Sequence, residues 1–106
     1  MASGILGTAD LAITTITNVY AVPASTLASL NVNICNRNNA VARIRLALSA
    51  STGVQANSEF MEYETAIEAY GVLERTAIVL DAGKTLTVYS DTANVTVVVT
   101  GIEEAA

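Results

Sequence analysis

The 106-residue sequence has no histidine and no tryptophan, and only one cysteine, one proline and one phenylalanine. Each scarcity excludes something. Without histidine there is no imidazole for general acid–base work, no Ser–His or Cys–His nucleophile pair, and none of the usual zinc ligand sets. The lone thiol, Cys35, forms no disulfide within the chain. It reads as a reactive group or as a small half-buried strand residue, the latter being the commoner case. No apolar run approaches about 20 residues, so no membrane-spanning helix is expected. The first ten residues, "MASGILGTAD", lack Lys, Arg and a long apolar stretch, so no secretory signal is expected there. In that context Asn94-Val95-Thr96 is read as a chance match to the glycosylation pattern, and synthesis in the cytoplasm is expected.

Basic residues are also few. Five Lys and Arg stand against ten acids, a net charge of −5, which disfavours direct nucleic-acid binding because a basic footprint is needed there. The imbalance is uneven along the chain. Residues 11–58 carry Arg37, Arg43 and Arg45 and no acid, a net of +3. Residues 59–106 carry nine acids against Arg75 and Lys84, a net of −7. Such asymmetry is satisfied by cross-strand pairs within one fold or by contacts between copies.

What is plentiful is aliphatic and β-branched. The chain is 52% hydrophobic, much of it Ala and Val, and Val and Thr favour pleated strands over helices. A chain this long makes one domain that buries about 65% of its unfolded surface. Apolar and polar residues alternate with period 2 throughout, and no stretch sustains helical spacing. "SLNVNICN" sets Leu30, Val32 and Ile34 on one side. "AVARIRLALS" sets Ala42, Ile44, Leu46 and Leu48 inward with Arg43 and Arg45 outward. The intervening "NRNNA" has turn chemistry, so the two segments are expected to form a hairpin. "ASTGVQANS" is the longest polar stretch and is expected to be a mobile tip. "EFMEYET", "VLERTAIVL", "KTLTVYS" and "VTVVVTGI" follow as strands, and "NVYAVP" is a short strand stopped by Pro23. Seven or eight short antiparallel strands at regular spacing predict an all-β sandwich. Residues 19–106 form its body, and residues 1–18 are either a first strand or an extended arm.

Three features invite a chemical reading. Gly83-Lys84-Thr85 resembles the end of a phosphate-binding loop, but Ile78 stands where that loop needs its first Gly, and the following "TLTVYS" is strand-like. The triplet reads as a turn with Gly83 at positive φ. Glu62 and Glu64 are expected to share a strand face, with Glu59, Glu68 and Glu74 nearby in sequence. Glycoside hydrolysis or Ca²⁺ binding needs a cleft or converging loop ligands, so a solvated face, or a surface salt-bridged to the arginine strand, is the simpler reading. Finally, Arg43 and Arg45 point one way, with Arg37 in the preceding turn and Val41 adding apolar area. Cross-strand pairing with Glu62 or Glu64, or docking onto an acidic protein surface, is expected. No catalytic residue, metal site or cofactor is assigned.

"ILGTADLA", "VYAVPAST", "NVNICNRN", "EYETAIEAYGVLERTAIVLDAG" and "VTVVVTGIEE" resemble short virion structural proteins of tailed bacteriophages, particularly those of cyanobacteria. The resemblance spans nearly the whole chain, and "NVNICNRN" and "GVLERTAIVLDAG" are its most specific pieces. It implies a small sandwich, often immunoglobulin-like, present in many copies per particle, made in the host cytoplasm and resident in the virion. A capsid decoration or cement role follows as the expectation. The partners would be the major capsid protein or another virion protein, with homo-oligomerisation, a trimer among the options. The N-terminal segment, with Ile5 and Leu6, would clamp a shell or a sister copy. The interface would draw on Arg37, Val41, Arg43, Arg45, Glu62 and Glu64. The alternative is a tail, baseplate or fibre component, or an adhesin presenting Tyr63 and Tyr70 to a host glycan.

Overall fold

Alternating side chains give every strand one apolar side, and these sides meet in a single core. The computed structural model describes residues 2–106. Its strands are β1 (Ser3–Leu11), β2 (Thr15–Ala21), β3 (Thr26–Asn36), β4 (Ala42–Ser49), β5 (Phe60–Ile67), β6 (Val72–Leu80), β7 (Thr85–Ser90) and β8 (Val95–Ala105). Leu30, Val32 and Ile34 of β3 meet Val95, Val97 and Val99 of β8 on one inner face, and Ile44, Leu46, Leu86 and Val88 supply the other. These side chains are fully or almost fully buried, each stabilising the fold by about 1.5–3 kcal/mol before chain entropy is counted. Tyr20 is the one aromatic among the buried described residues, so packing rests on branched aliphatics.

Two antiparallel four-stranded sheets make the sandwich, with orders β1-β8-β3-β6 and β2-β7-β4-β5. The expected sandwich is therefore present, but not with an immunoglobulin strand order, in which sequential strands are grouped within sheets. Here six of the seven connections cross from one sheet to the other, and only β4–β5 stays in one sheet. That is the order of an eight-stranded jelly roll. The expected β3–β4 hairpin is corrected for the same reason. Residues 37–41 form an arch that carries the chain between sheets, since apolar sides of both strands face the core from opposite layers.

All the register irregularities fall on the four edge strands. β1 carries an extra residue between Ile5 and Gly7, and β2 one between Asn18 and Tyr20. β6 is bulged opposite Leu30 and Val32, and β5 twice opposite Ile44–Ala47. The central pairs β3–β8 and β4–β7 run without a shift. Bulges twist an edge away from the flat geometry that another strand needs for pairing. Two of them place non-glycine residues in the left-handed region, Glu64 at φ 52° and Ala77 at φ 58°.

Of the two options for the first 18 residues, the structure has strand: β1 pairs with β8 from Ser3 to Leu11, and Asn18 lies inside β2. Near Gly7 the backbones of β1 and β2 come so close that a Cβ there would sit 2.3 Å from the Val19 carbonyl oxygen. This closes one side of the sandwich. At one end, fully buried Asn36 donates to the carbonyls of Ala40, Ile67 and Glu68 and accepts from the Asn38 backbone N–H and side-chain amide. Asn38 in turn donates to the Ala93 carbonyl. Three inter-strand connections are tied by this knot, which is what the Asn-rich "NICNRN" segment provides.

Candidate interaction site

The outer face of the second sheet carries the densest group of functional side chains. Alternation along β4 turns Arg43 and Arg45 away from the core, and Tyr89 stands beside Arg45 on β7. The guanidinium of Arg45 lies over two rings, 4.8 Å from the centroid of Tyr63 and 4.6 Å from that of Tyr89, each contact drawing on the negative face of the ring. Arg45 also pairs with Glu64 at 3.0 Å. That hydrogen bond raises the Arg45 pKa and holds the Glu64 carboxyl below its ordinary value. Phe60 meets Tyr63 edge-on at 4.8 Å. Arg43 is exposed, donates to the Glu64 carbonyl at 3.3 Å, and is the one cation without an ion pair among the described residues.

The expectation that Glu62 and Glu64 share a face is corrected by the bulge between them. Positive φ at Glu64 breaks the alternation, so Phe60 and Tyr63 end up on one side. Glu62 turns to the open edge of the sandwich, where it accepts from Arg75 at 2.5 Å and from Thr65 at 2.9 Å. Arg75, and less strongly Thr65, hold the Glu62 carboxyl below its usual range. Of the anticipated Arg–Glu pairs, Arg45–Glu64 is therefore present, while Glu62 serves β6 in the other sheet. Arg37 lies elsewhere, at the end of the sandwich, paired with Asp10 at 2.7 Å and bonded to Thr96. Val41 is exposed in the β3–β4 arch. Ile5 projects from β1 on the first sheet, while Leu6, the extra residue of the bulge, packs against the core. The anticipated interface residues are thus divided among both outer faces and one end.

The β4–β5 connection, residues 50–59, does not project as a free tip. Ala47, Ser49, Thr85 and Thr87 lie on the outward side of the second sheet yet are buried to within 1%, because this segment folds over them. The Gln55 amide donates to Thr87 and to the Arg45 carbonyl, and the Gly53 N–H donates to Asn18 at 2.8 Å. Glu59 accepts from the N–H groups of Ala50 and Ala56, which lower its pKa.

The first sheet presents a different outer face, with Asn31, Asn33, Thr96, Val98 and Thr100 in its middle. A shallow depression there is lined by Asn31, Asn33, Glu74, Thr76, Val98 and Thr100. Among the described residues no three Cys, Asp or Glu side chains converge as metal ligands would, and no helix is long and apolar enough to cross a membrane. The Gly83 turn has φ 81° and leads into strand β7, as the sequence reading of Gly83-Lys84-Thr85 requires.

Comparison with family models, curated proteins and solved structures finds no match to this chain. Function therefore has to be argued from the surfaces.

Two elements of the site escaped sequence reasoning. Tyr89 was hidden inside an apolar alternation, and Arg75 sat among strand residues with no signal that it would reach across the sandwich. Both depend on which strands the crossings bring together.

Proposed function

We propose that this protein is a structural component of a bacteriophage virion, in the first instance a decoration or cement protein on the outside of the head shell. The observation that carries this reading is the jelly-roll architecture itself, a fold used for capsid and lectin domains, here with every edge strand bulged and two broad outer faces. Such a subunit meets neighbours through side chains on its faces rather than by adding strands. On a symmetric shell, many modest contacts accumulate into firm attachment. The sequence resemblance to phage virion proteins points the same way.

Quantitative mass spectrometry of purified particles tests the reading. Copy numbers of the same order as the major capsid protein, with saturable binding to empty heads, are the expected result. Absence from particles would remove the virion role. The tail or fibre alternative draws on Tyr70, a residue 70% exposed in the β5–β6 turn, and requires a copy number far below that of the capsid protein. Tyr63 contributes less to a glycan-binding role, since its ring already packs against Arg45 and Phe60.

A further inference from the structure

The depression on the outer face of the first sheet has a volume of about 380 Å³, near the small end of the roughly 300–1,000 Å³ typical of small-molecule sites. Its shape follows from strand register. Leu30 pairs with Ile78 and Val32 with Arg75, so Thr76 and Ala77 together oppose Asn31, and Ala77 takes up the extra residue at φ 58°. Beside this bulge, β8 contributes the short, half-buried Val98 and Thr100. The longer Asn31, Asn33 and Glu74 stand around them. These side chains sit on strands rather than loops, so their positions are set before any ligand arrives.

Two of these groups are already oriented. Asn33 Nδ2 donates to Glu74 Oε1 at 3.3 Å, and Asn31 Oδ1 accepts from the Ala77 N–H at 3.4 Å. Among the described residues, Asn31 Nδ2, Asn33 Oδ1, Glu74 Oε2 and the hydroxyls of Thr76 and Thr100 have no further partner. Donors and acceptors thus converge in one place, which suits a vicinal diol because each hydroxyl both donates and accepts. Other ligand classes lack what they need. No Lys or Arg lines the depression, and Arg37 and Arg75 on this side are committed to Asp10 and Glu62. A phosphate or carboxylate ligand would therefore find no counter-charge and would meet Glu74. An ammonium ligand would suit Glu74 but would face the Asn31 amide with donors on both sides. No aromatic ring is present for a nucleobase to stack on, whereas Val98 offers its methyls to the C–H face of a sugar ring.

We propose that this depression binds an uncharged saccharide, with Glu74 and Asn33 taking adjacent hydroxyls, Asn31, Thr76 and Thr100 taking others, and Val98 lying beneath the ring. The depression covers one side of a sugar, so affinity of about millimolar order is expected for a single unit. The site is separate from Tyr70 in the β5–β6 turn. It stands independently of the virion reading, because binding is measured on the isolated protein.

NMR titration of the isotope-labelled full chain tests it. The probes are the methyl glycosides of glucose, galactose, mannose, fucose and N-acetylglucosamine, with glucuronate as the acidic counterpart. At least one neutral glycoside is expected to shift the amide resonances of Asn31, Asn33, Glu74, Thr76, Val98 and Thr100 saturably, the side-chain amides of both asparagines included. Glu74→Gln and Asn33→Ala are each expected to weaken that binding about 10-fold, since each removes hydrogen bonds to or from the carboxylate. Tyr70→Ala should leave it unchanged. Both site substitutions lie on the outer face, so unshifted core resonances will show the fold intact. Absence of saturable shifts with every neutral glycoside overturns the proposal. So does equal binding of glucuronate, indifference to Glu74→Gln, or shifts centred on Tyr70, which would place a glycan site in the β5–β6 turn instead.

Discussion

Arg75 on β6 and Glu62 on β5 join the two sheets at the open side of the sandwich, where no backbone hydrogen bond connects them. Glu62 is largely buried, with 15% of its side chain exposed, while Arg75 is 39% exposed. Removing the cation leaves a largely buried carboxylate with only Thr65 for a partner. Arg75→Met is expected to cost about 1 kcal/mol, a charged hydrogen bond discounted for the exposure of the arginine. The midpoint of urea denaturation measures it, and Glu62→Gln added to Arg75→Met should cost little more.

Asn36 should be far less tolerant. Its two amide hydrogens are shared among three carbonyls and its oxygen accepts from two donors, all within the end of the sandwich. Asn36→Ala leaves several of these unpaired and is expected to cost about 2–4 kcal/mol. Asn36→Asp is the more specific test. It keeps the shape but points a carboxylate at carbonyl oxygens, so its folded-state pKa rises above the unfolded value. Its destabilisation should therefore shrink as pH falls and the acid becomes protonated. A pH-independent deficit would show that the hydrogen-bond knot is not the cause.

Stability should fall on both sides of neutrality, for opposite reasons. Glu59, Glu62, Glu64, Asp81 and Glu103 all have pKa values lowered in the fold, chiefly by hydrogen bonds to the N–H groups of Ala50 and Ala56, Arg75, Arg45, Lys84 and Tyr20 respectively. Their contribution is complete above the unfolded carboxyl pKa of about 4 and is lost as pH falls through the lower folded values. Tyr20 behaves in reverse. Burial first, and then the Glu103 carboxylate it donates to, raise its phenol well above the ordinary value. Its contribution is complete below about pH 10 and declines as pH rises toward the folded pKa. A Tm profile should show a plateau between these limits. Tyr20→Phe should flatten the alkaline side while leaving the acid side largely in place.

Gly7→Ala should damage the closed side of the sandwich. The new methyl would sit 2.3 Å from the Val19 carbonyl oxygen, and both atoms belong to strands fixed by their ladders. A cost of about 1–3 kcal/mol is expected for such overpacking. Hydrogen exchange should locate it as faster exchange in β1 and β2, with β3, β4, β7 and β8 less affected. The same geometry means that deleting residues 2–10 removes an edge strand and uncovers β8.

Much of the fold was legible in the chain because strand periodicity is local. "SLNVNICN" and "VTVVVTGI" declare their inner faces, and those residues occupy the core. The bulges were not legible. Left-handed φ falls on Glu64 and Ala77 rather than on glycine, so no residue type announces that the alternation breaks. Pairing of Arg45 with Glu64 was foreseeable from opposite charges on neighbouring strands. The partner of Glu62 was not, since it lies in the other sheet.

The sequence by itself determined an all-β chain with an aliphatic core, no histidine chemistry and opposite charges in its two halves. Only the tertiary structure decided that nearly every connection crosses between sheets, that the β4–β5 segment covers half of one outer face, and that the anticipated interface residues lie on opposite sides. The physical reason is that alternation specifies which side of a strand is buried. It does not specify which of two layers that side faces, or which strand lies beside it.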